Sequence, residues 1–298
     1  MVFSSGVDIV TNIEEIDPDR LDTGSHRAQA RKTVYFSVEE PECGFRIICA
    51  LTDSEPGAVT MRHRHVFEQV RYICEGNVYF SNRRYGPGTL IYTGESVHYG
   101  PQSRREPTRI LAFQFPGPST LMPRHLRQVP EEEFARGLRE LRETGVSFDG
   151  GIAHFPDGRK QEPAEAIYEY LAGDALQYAP PRYTDPVYMQ THEFPWGPTT
   201  HHGVHLKHLA CFNEVGPNLA MLRLDPGATL PGGQSDCMDL RVVLDGAVEL
   251  GGQQCPAVSR LYFPPGASFG PLYSRVGADL LVFQLATPGG RAPAPWVV

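Results

Sequence analysis

The sequence predicts an all-β chain, two similar barrels in tandem joined by a partly helical connection. Three observations predict it. Thirty glycines and 27 prolines in 298 residues are more punctuation than a helix bundle tolerates. Short runs rich in β-branched and aromatic residues crowd two regions of the chain. Those regions also repeat one another. Shifted by 170 residues, GAVT at 57–60 falls on GATL at 227–230, Arg71 on Arg241, Gly76 on Gly246, Val78 on Val248 and Tyr92 on Tyr262. Gly100 and Pro101 fall on Gly270 and Pro271, and Phe113 and Gln114 on Phe283 and Gln284, without a gap. Turn glycines and strand cores held in register over that distance mark an internal duplication.

The elements follow in order. From about 33 to 115 the runs TVYFSV, FRIICAL, EQVRYIC, NVYFS, TLIYT and RILAFQF read as strands, separated by turn chemistry at 55–57, 75–76 and 85–88. Pro130 followed by EEEFARGLRELRET reads as a helix with proline and acids at its start, and Gly145 as its stop. A glycine-rich loop, VSFDGGIAHFPDG, and a second helix near AEAIYEYLAG come next, then the extended, proline-rich QYAPPRYTDP. From about 191 the β signal returns. The expected division is a first barrel over 1–118, a connection over 119–190 that packs on the barrels, and a second barrel over 191–298.

Composition removes several function classes. The net charge is −8 with no basic run, which argues against nucleic acid as a partner. A hydrophobic content of 41% suffices for a core. No apolar run reaches the roughly 20 residues of a membrane span. The first residues carry acids and no apolar signal core, so a secretion signal is not expected. The six cysteines, at 43, 49, 74, 211, 237 and 255, form no C-x-x-C pair. They read as reduced core-filling thiols in a cytoplasmic protein, without a zinc ribbon or redox pair.

The chemistry concentrates in GAVTMRHRHVFEQVRYICEG. His63 and His65 lie two apart on what reads as a strand, so both imidazoles point to one face. Two imidazoles converging in a barrel are what a first-row metal ion needs from a strand. Gln69, four beyond His65, shares that face by parity, while Glu68 does not unless the strand bulges. His98 comes from a later strand edge and could close the site.

These residues resemble the first motif of the cupin superfamily, G-x5-H-x-H-x(3,4)-E-x6-G. Gly57, His63, His65, Gln69 and Gly76 stand at its spacing, with Gln69 replacing the glutamate. The second motif, G-x5-P-x-G-x2-H-x3-N, is followed less closely. Counting from Gly88 puts Gly94 at the proline, Ser96 at the glycine and Tyr99 at the histidine, with His98 one residue early. The resemblance covers about 33–116 and 191–288. It implies cupin-type, jelly-roll-like barrels, with a divalent metal held by the two first-motif histidines, the motif's carboxylate and a second-motif histidine. His63, His65, Gln69 and His98 are the expected ligands, with Tyr99 as the alternative to His98 and an indirect role as the alternative for Gln69. In the second copy His63 becomes Gly233, His65 becomes Ser235, Gln69 becomes Asp239 and His98 becomes Ser268. The metal therefore belongs to the first barrel and the second has a structural or substrate-shaping role.

Arg71, two beyond Gln69, faces the same interior and reads either as a clamp for a substrate oxyanion or as half of an internal ion pair. The histidines at 201, 202, 205 and 208 cannot all converge, and a surface or inter-domain role is expected for them. An ion on neutral nitrogens keeps its charge and leaves open positions. The expected function is a non-haem metal-dependent oxygenase of the dioxygenase type, iron foremost and manganese, nickel, copper or zinc as alternatives. Its substrate is expected to be a small organic molecule, aromatic or oxyanion-bearing. The alternatives are a Lewis-acid isomerase, lyase or cyclase, and a non-enzymatic pirin-like metal-binding regulator. A homodimer through edge strands would suit tandem barrels.

Overall fold

The computed structural model describes residues 6–11, 30–39, 46–119, 126, 129, 131–214 and 216–286. Pro130, Cys43 and most of the N-terminal stretch lie outside them. The chain divides into two compact units, Asp17–Gln190 and Met1–Ile16 with Thr191–Val298.

In the first unit a six-stranded sheet runs in the order Val187–Gln190, Thr89–Thr93, Phe67–Glu75, Thr108–Pro116, Arg46–Ser54, Ala30–Glu39. Every pairing in it is antiparallel. A four-stranded sheet joins Val59–Thr60, Gln102–Arg104, Val78–Phe80 and Arg83–Tyr85. Ile73, Ile91 and Ile110 of the larger sheet pack with Val78 and Phe80 of the smaller. This is the jelly-roll-like layering that alternating apolar residues on short strands produce.

The expected connection belongs to this same unit. Helix α1, Glu131–Glu143, packs Leu138 and Leu141 against Ala166 and Ile167 of helix α2, Pro163–Ala172. The start of α2 is set by the Glu162 side chain, which accepts from the Glu165 N–H at 2.9 Å, and its end by Gly173 in the left-handed region at φ 70°. The glycine-rich stretch after α1 is not the loop expected of it. Ser147–Asp149 pairs with Ile152–His154, and that strand with Lys160–Gln161. Gly150 and Gly151, at φ 55° and 75°, supply the two positive-φ positions of a tight hairpin turn. The proline-rich segment ends in Val187–Gln190, which becomes the edge of the six-stranded sheet.

The second unit is built on a sheet following Asp8–Val10, Arg260–Phe263, Met238–Leu250, Ala278–Leu285, Asn218–Leu224, Val204–Cys211 and Gly197–Pro198. Its first strand comes from the chain's beginning, and Asp8 pairs with Tyr262. The core includes Leu222, Val243, Leu261, Phe263, Leu280 and Val282.

The duplication read from the sequence is present in the backbone. Gln69 lies opposite Thr93 and Gln114, and Asp239 opposite Phe263 and Gln284. His63 bridges Tyr99 as Gly233 pairs with Phe269. Positive-φ positions also coincide, including Gly76 and Gly246, both at 71°, and Ser96 and Gly266 at 64° and 79°.

Inside the second barrel Arg241 and Asp239 form an ion pair with 2% and 3% of their side chains exposed. Arg241 Nε and Nη2 reach the two Asp239 oxygens at 3.1 and 2.8 Å. Gln284 Nε2 donates to Asp239 Oδ2 at 3.1 Å, and Asn218 Nδ2 to Gln284 Oε1 at 3.2 Å. Such a bidentate, hydrogen-bonded pair is well compensated when intact and costly when halved.

Two predictions follow from this packing. Asp239→Ala should lower unfolding free energy by about 3–5 kcal/mol, because it strands a buried guanidinium; urea denaturation measures it, and a loss under about 1 kcal/mol would deny the pair its structural weight. Gly76→Ala and Gly246→Ala should each cost about 2–4 kcal/mol in the same assay. A Cβ at either position meets a backbone carbonyl, Pro107 O or Gly277 O, at a positive φ.

Candidate functional site

The first barrel encloses a cavity of about 80 Å³ between its two sheets. His63, Gln69 and Arg71 line it, with Tyr99, Gln102 and Arg104. Period-two geometry on Phe67–Glu75 turns Gln69 and Arg71 inward together, 5% and 7% exposed. Glu68 is also buried, at 1%, but does not line the cavity.

His63 and His65 do not lie on a regular strand, as their spacing suggested. They fall between Val59–Thr60 and Phe67–Glu75, where His63 makes an isolated bridge to Tyr99. The bridge is a reciprocal backbone pair, His63 N–H to Tyr99 O at 3.0 Å and Tyr99 N–H to His63 O at 2.9 Å. It still brings the two imidazoles together, with ring centroids 4.8 Å apart. His63 Nδ1 is 2.8 Å from Met61 O. A carbonyl only accepts, so Nδ1 carries the proton and Nε2 the lone pair. His65 Nε2 is 2.8 Å from the Tyr99 hydroxyl, and the Tyr99 ring lies 4.3 Å from that of His63.

The structure does not bring His98 to these rings. Its side chain is exposed while that of Tyr99 is buried at 5%. The bridge to His63 sets this parity, so the adjacent residue is turned the other way. Partial desolvation, then repulsion from Arg62 and Arg64, lowers the His98 pKa.

Gln69 is held by a directional chain. Lys32 Nζ can only donate, and it donates to Gln114 Oε1 at 3.0 Å. Gln114 must then offer Nε2, which donates to Gln69 Oε1 at 2.9 Å. What Gln69 has left for the cavity is its NH2, buried and without a hydrogen-bond partner among the described residues. Across the cavity Arg71 Nη1 and Arg104 Nη2 both donate to Gln102 Oε1, at 3.0 and 3.2 Å. The Arg71 guanidinium also sits 4.7 Å over the Tyr99 ring.

The cupin-type ion can be tested against these donors. Among the described residues no group of three or more His, Cys, Asp or Glu converges. The carboxylate position is filled by an amide presenting N–H, and the third imidazole position by Tyr99. His63, by contrast, has a ligating imidazole's habit, its far N–H anchored to a backbone carbonyl. Among the described residues the donors do not fit the four-ligand pattern, and His63, His65 and Tyr99 are the residues that would hold an ion here.

Lys32, Gln102, Arg104 and Gln114 were not singled out from the sequence. The shift of 170 contains a signal for two of them, since Gln102 and Arg104 fall on Leu272 and Ser274. Tyr99, weighed only as an alternative, falls on Phe269, which lacks the hydroxyl. In the 201–208 run two histidines take local partners: His205 Nε2 is 2.9 Å from Asp225 Oδ2, and His208 Nε2 is 2.7 Å from Asn218 Oδ1. Burial pushes the Cys74 and Cys255 thiols up to about 11 and Cys237 to about 12, which suits inert core fillers. No helix of the described residues is long and apolar enough to cross a membrane.

No family model matches the sequence, and no curated protein matches it. Solved structures do. A "putative dioxygenase" of Nostoc punctiforme aligns over 98% of this chain and 86% of its own, with 10% identity and a TM-score of 0.64. A "putative glyoxylate induced protein" of Pseudomonas aeruginosa aligns over 96% and 90%, with 10% identity and a TM-score of 0.59. Hazelnut vicilin aligns over 97% and 88%, with 13% identity and a TM-score of 0.52. Names this different at such identities speak for architecture and not for activity. With the motif spacing and the duplicated register, they identify the chain as having the fold of a bicupin, two cupin barrels in one polypeptide.

Proposed function

We propose that the first barrel is the working one, and that it is a metal-dependent oxygenase of the dioxygenase type acting on a small organic substrate. The observation carrying this is the convergence of His63, His65 and Tyr99 at one cavity-bearing barrel. Their counterparts Gly233, Ser235 and Phe269 supply no ring nitrogen or phenol. His63, His65 and Tyr99 would hold the ion. When bound, a transition metal supplies a Lewis-acid centre and, as iron, a place for O2 beside the substrate. A dioxygenase puts both oxygen atoms into its substrate and needs no separate reductant.

The chain's own residues have definite tasks. The Met61 carbonyl holds the His63 ring and its tautomer. In the ion-free site the Tyr99 hydroxyl orients His65, and it would release its proton on taking up the ion. Ala58, Ile110 and Ala112 give the cavity an apolar wall that limits water. Arg71 holds the substrate's oxyanion. The dioxygenase wording attached to the Nostoc structure is a precedent within the fold and no more.

One observation favours a second reading, an isomerase, lyase or cyclase working without O2. The His65–Tyr99 contact of 2.8 Å is short enough to pass a proton.

Elemental analysis tests the ion. His63→Ala with His65→Ala should reduce bound transition metal at least tenfold, and undiminished metal would refute the assignment. Oxygen-electrode assays over short-chain and aromatic oxyacids should show substrate-dependent O2 uptake, reduced about 100-fold by Tyr99→Phe. Turnover that persists without O2 selects the second reading, and absence of any turnover leaves a metal-binding regulator.

A further inference from the structure

We infer that the helical connection in the first unit is part of the site, and that Tyr178, braced by Glu165, is a positioning residue that sets the His63–His65 segment through Arg64 and Phe67. This deepens the reading above and rests on those two histidines being the working pair, not on the ion they would hold.

The segment leaves its side chains to be fixed from outside. His63, Arg64 and His65 lie between Val59–Thr60 and Phe67–Glu75, in no regular strand. Their backbone is tied to the 96–99 turn, by the reciprocal His63–Tyr99 pair and by the Ser96 N–H donating to His65 O at 2.7 Å. Such bonds set the path of the chain. They do not choose the rotamer of the half-buried His65 imidazole, which takes packing against the ring.

That packing comes from the connection. The Arg64 guanidinium, one residue from each histidine, lies 3.7 Å over the Tyr178 ring. Arg64 does not line the cavity, whereas His63 does. Phe67 stacks on His65, with ring centroids 4.3 Å apart and 16° between the planes. Phe67 and Tyr178 both pack on the buried cluster of Val66, Leu126 and Leu176. Two routes therefore run from Tyr178 into the segment, one through a cation and one through apolar contact.

Tyr178 is itself held. It follows the end of α2 at Gly173, in a stretch without helix or strand. Its hydroxyl donates to Glu165 Oε1 at 2.6 Å, and the Leu176 N–H donates to Glu169 Oε1 at 3.1 Å. Glu165 and Glu169 stand four apart on α2, so one face of the helix holds both Leu176 and Tyr178. The twin barrel supplies the comparison. Shifted by 170, Arg64 falls on Gln234, Val66 on Asp236 and Phe67 on Cys237. Gln234 Nε2 donates to Gly266 O of its own barrel at 2.9 Å. The side chains that dock the connection are thus replaced in the same stretch, 63–67, in which both histidines are replaced.

The experiment uses full-length, chelator-treated protein with isotope-labelled histidines. Imidazole nitrogen NMR reports the state of each ring, and cobalt(II) titration reports the pair's affinity for an ion. Tyr178→Leu removes the ring face and the hydroxyl. It should move the His65 signals toward those of an exposed, averaging imidazole and weaken cobalt binding roughly 10- to 100-fold. Tyr178→Phe keeps the ring and loses the brace, and should give a smaller change of the same sign; no change there overturns the bracing by Glu165. Arg64→Gln, which installs the second barrel's residue, should reproduce the effect of Tyr178→Leu, and it carries the test if that variant does not fold. Leu138→Ala, in the core between the two helices, should lower Tm and leave both readouts where they were. Unchanged His65 signals in Tyr178→Leu and Arg64→Gln overturn the inference, as does an equal movement in Leu138→Ala. Cobalt held as tightly by Tyr178→Leu as by the parent protein also overturns it. Parent protein that takes up no cobalt refutes the ion reading alone, and the His65 signals then decide the inference by themselves.

Discussion

A buried guanidinium on an inward-facing strand position is the constraint around which both barrels are arranged. Arg71 and Arg241 occupy that position, each beside an aromatic ring contributed by the matched residues Tyr99 and Phe269. Removing a cation from water is expensive, so the surroundings must answer its charge. The second barrel does so internally with Asp239, which Gln284 and Asn218 hold through a hydrogen-bonded chain. The first barrel has a neutral amide in that place and a cavity beside it. Carboxylate in one barrel and amide in the other is the exchange at this position.

The remaining differences cluster around that exchange. Gly233, Ser235, Phe269, Leu272 and Ser274 mark positions where the first barrel has His63, His65, Tyr99, Gln102 and Arg104. His63, Tyr99 and Gln102 each add polar side-chain atoms to a buried position, which is unfavourable for stability unless those atoms find partners. Concentrating such groups around the cavity of one barrel is the pattern of a site supported by its scaffold. The comparison is internal to the molecule, so fold, solvent and chain are held constant.

Much of the architecture could be read from the sequence because strand parity and turn glycines are local. Arg71 and Gln69 face inward as period two requires, and the positive φ at Gly76 and Gly246 agrees with the repeat. The hairpin at Gly150 and Gly151 was hidden because two glycines in a row signal a turn without saying whether strands flank it. The ligand set was less readable. A one-residue ambiguity at His98 and Tyr99 is resolved only by the bridge to His63, a contact between distant segments. The role of Gln69 depended on an amide orientation set by Lys32 and Gln114, residues separated by 82 positions. Position within a motif could not show which atom of that amide would face the cavity.

The most direct measurement is a high-resolution crystal structure of the protein reconstituted with a transition metal. The ion is expected in the first barrel against His63, His65 and Tyr99, with none in the second barrel beside Gly233 and Ser235. A first barrel without an ion under saturating metal, or an ion bound only elsewhere, would contradict the central claim.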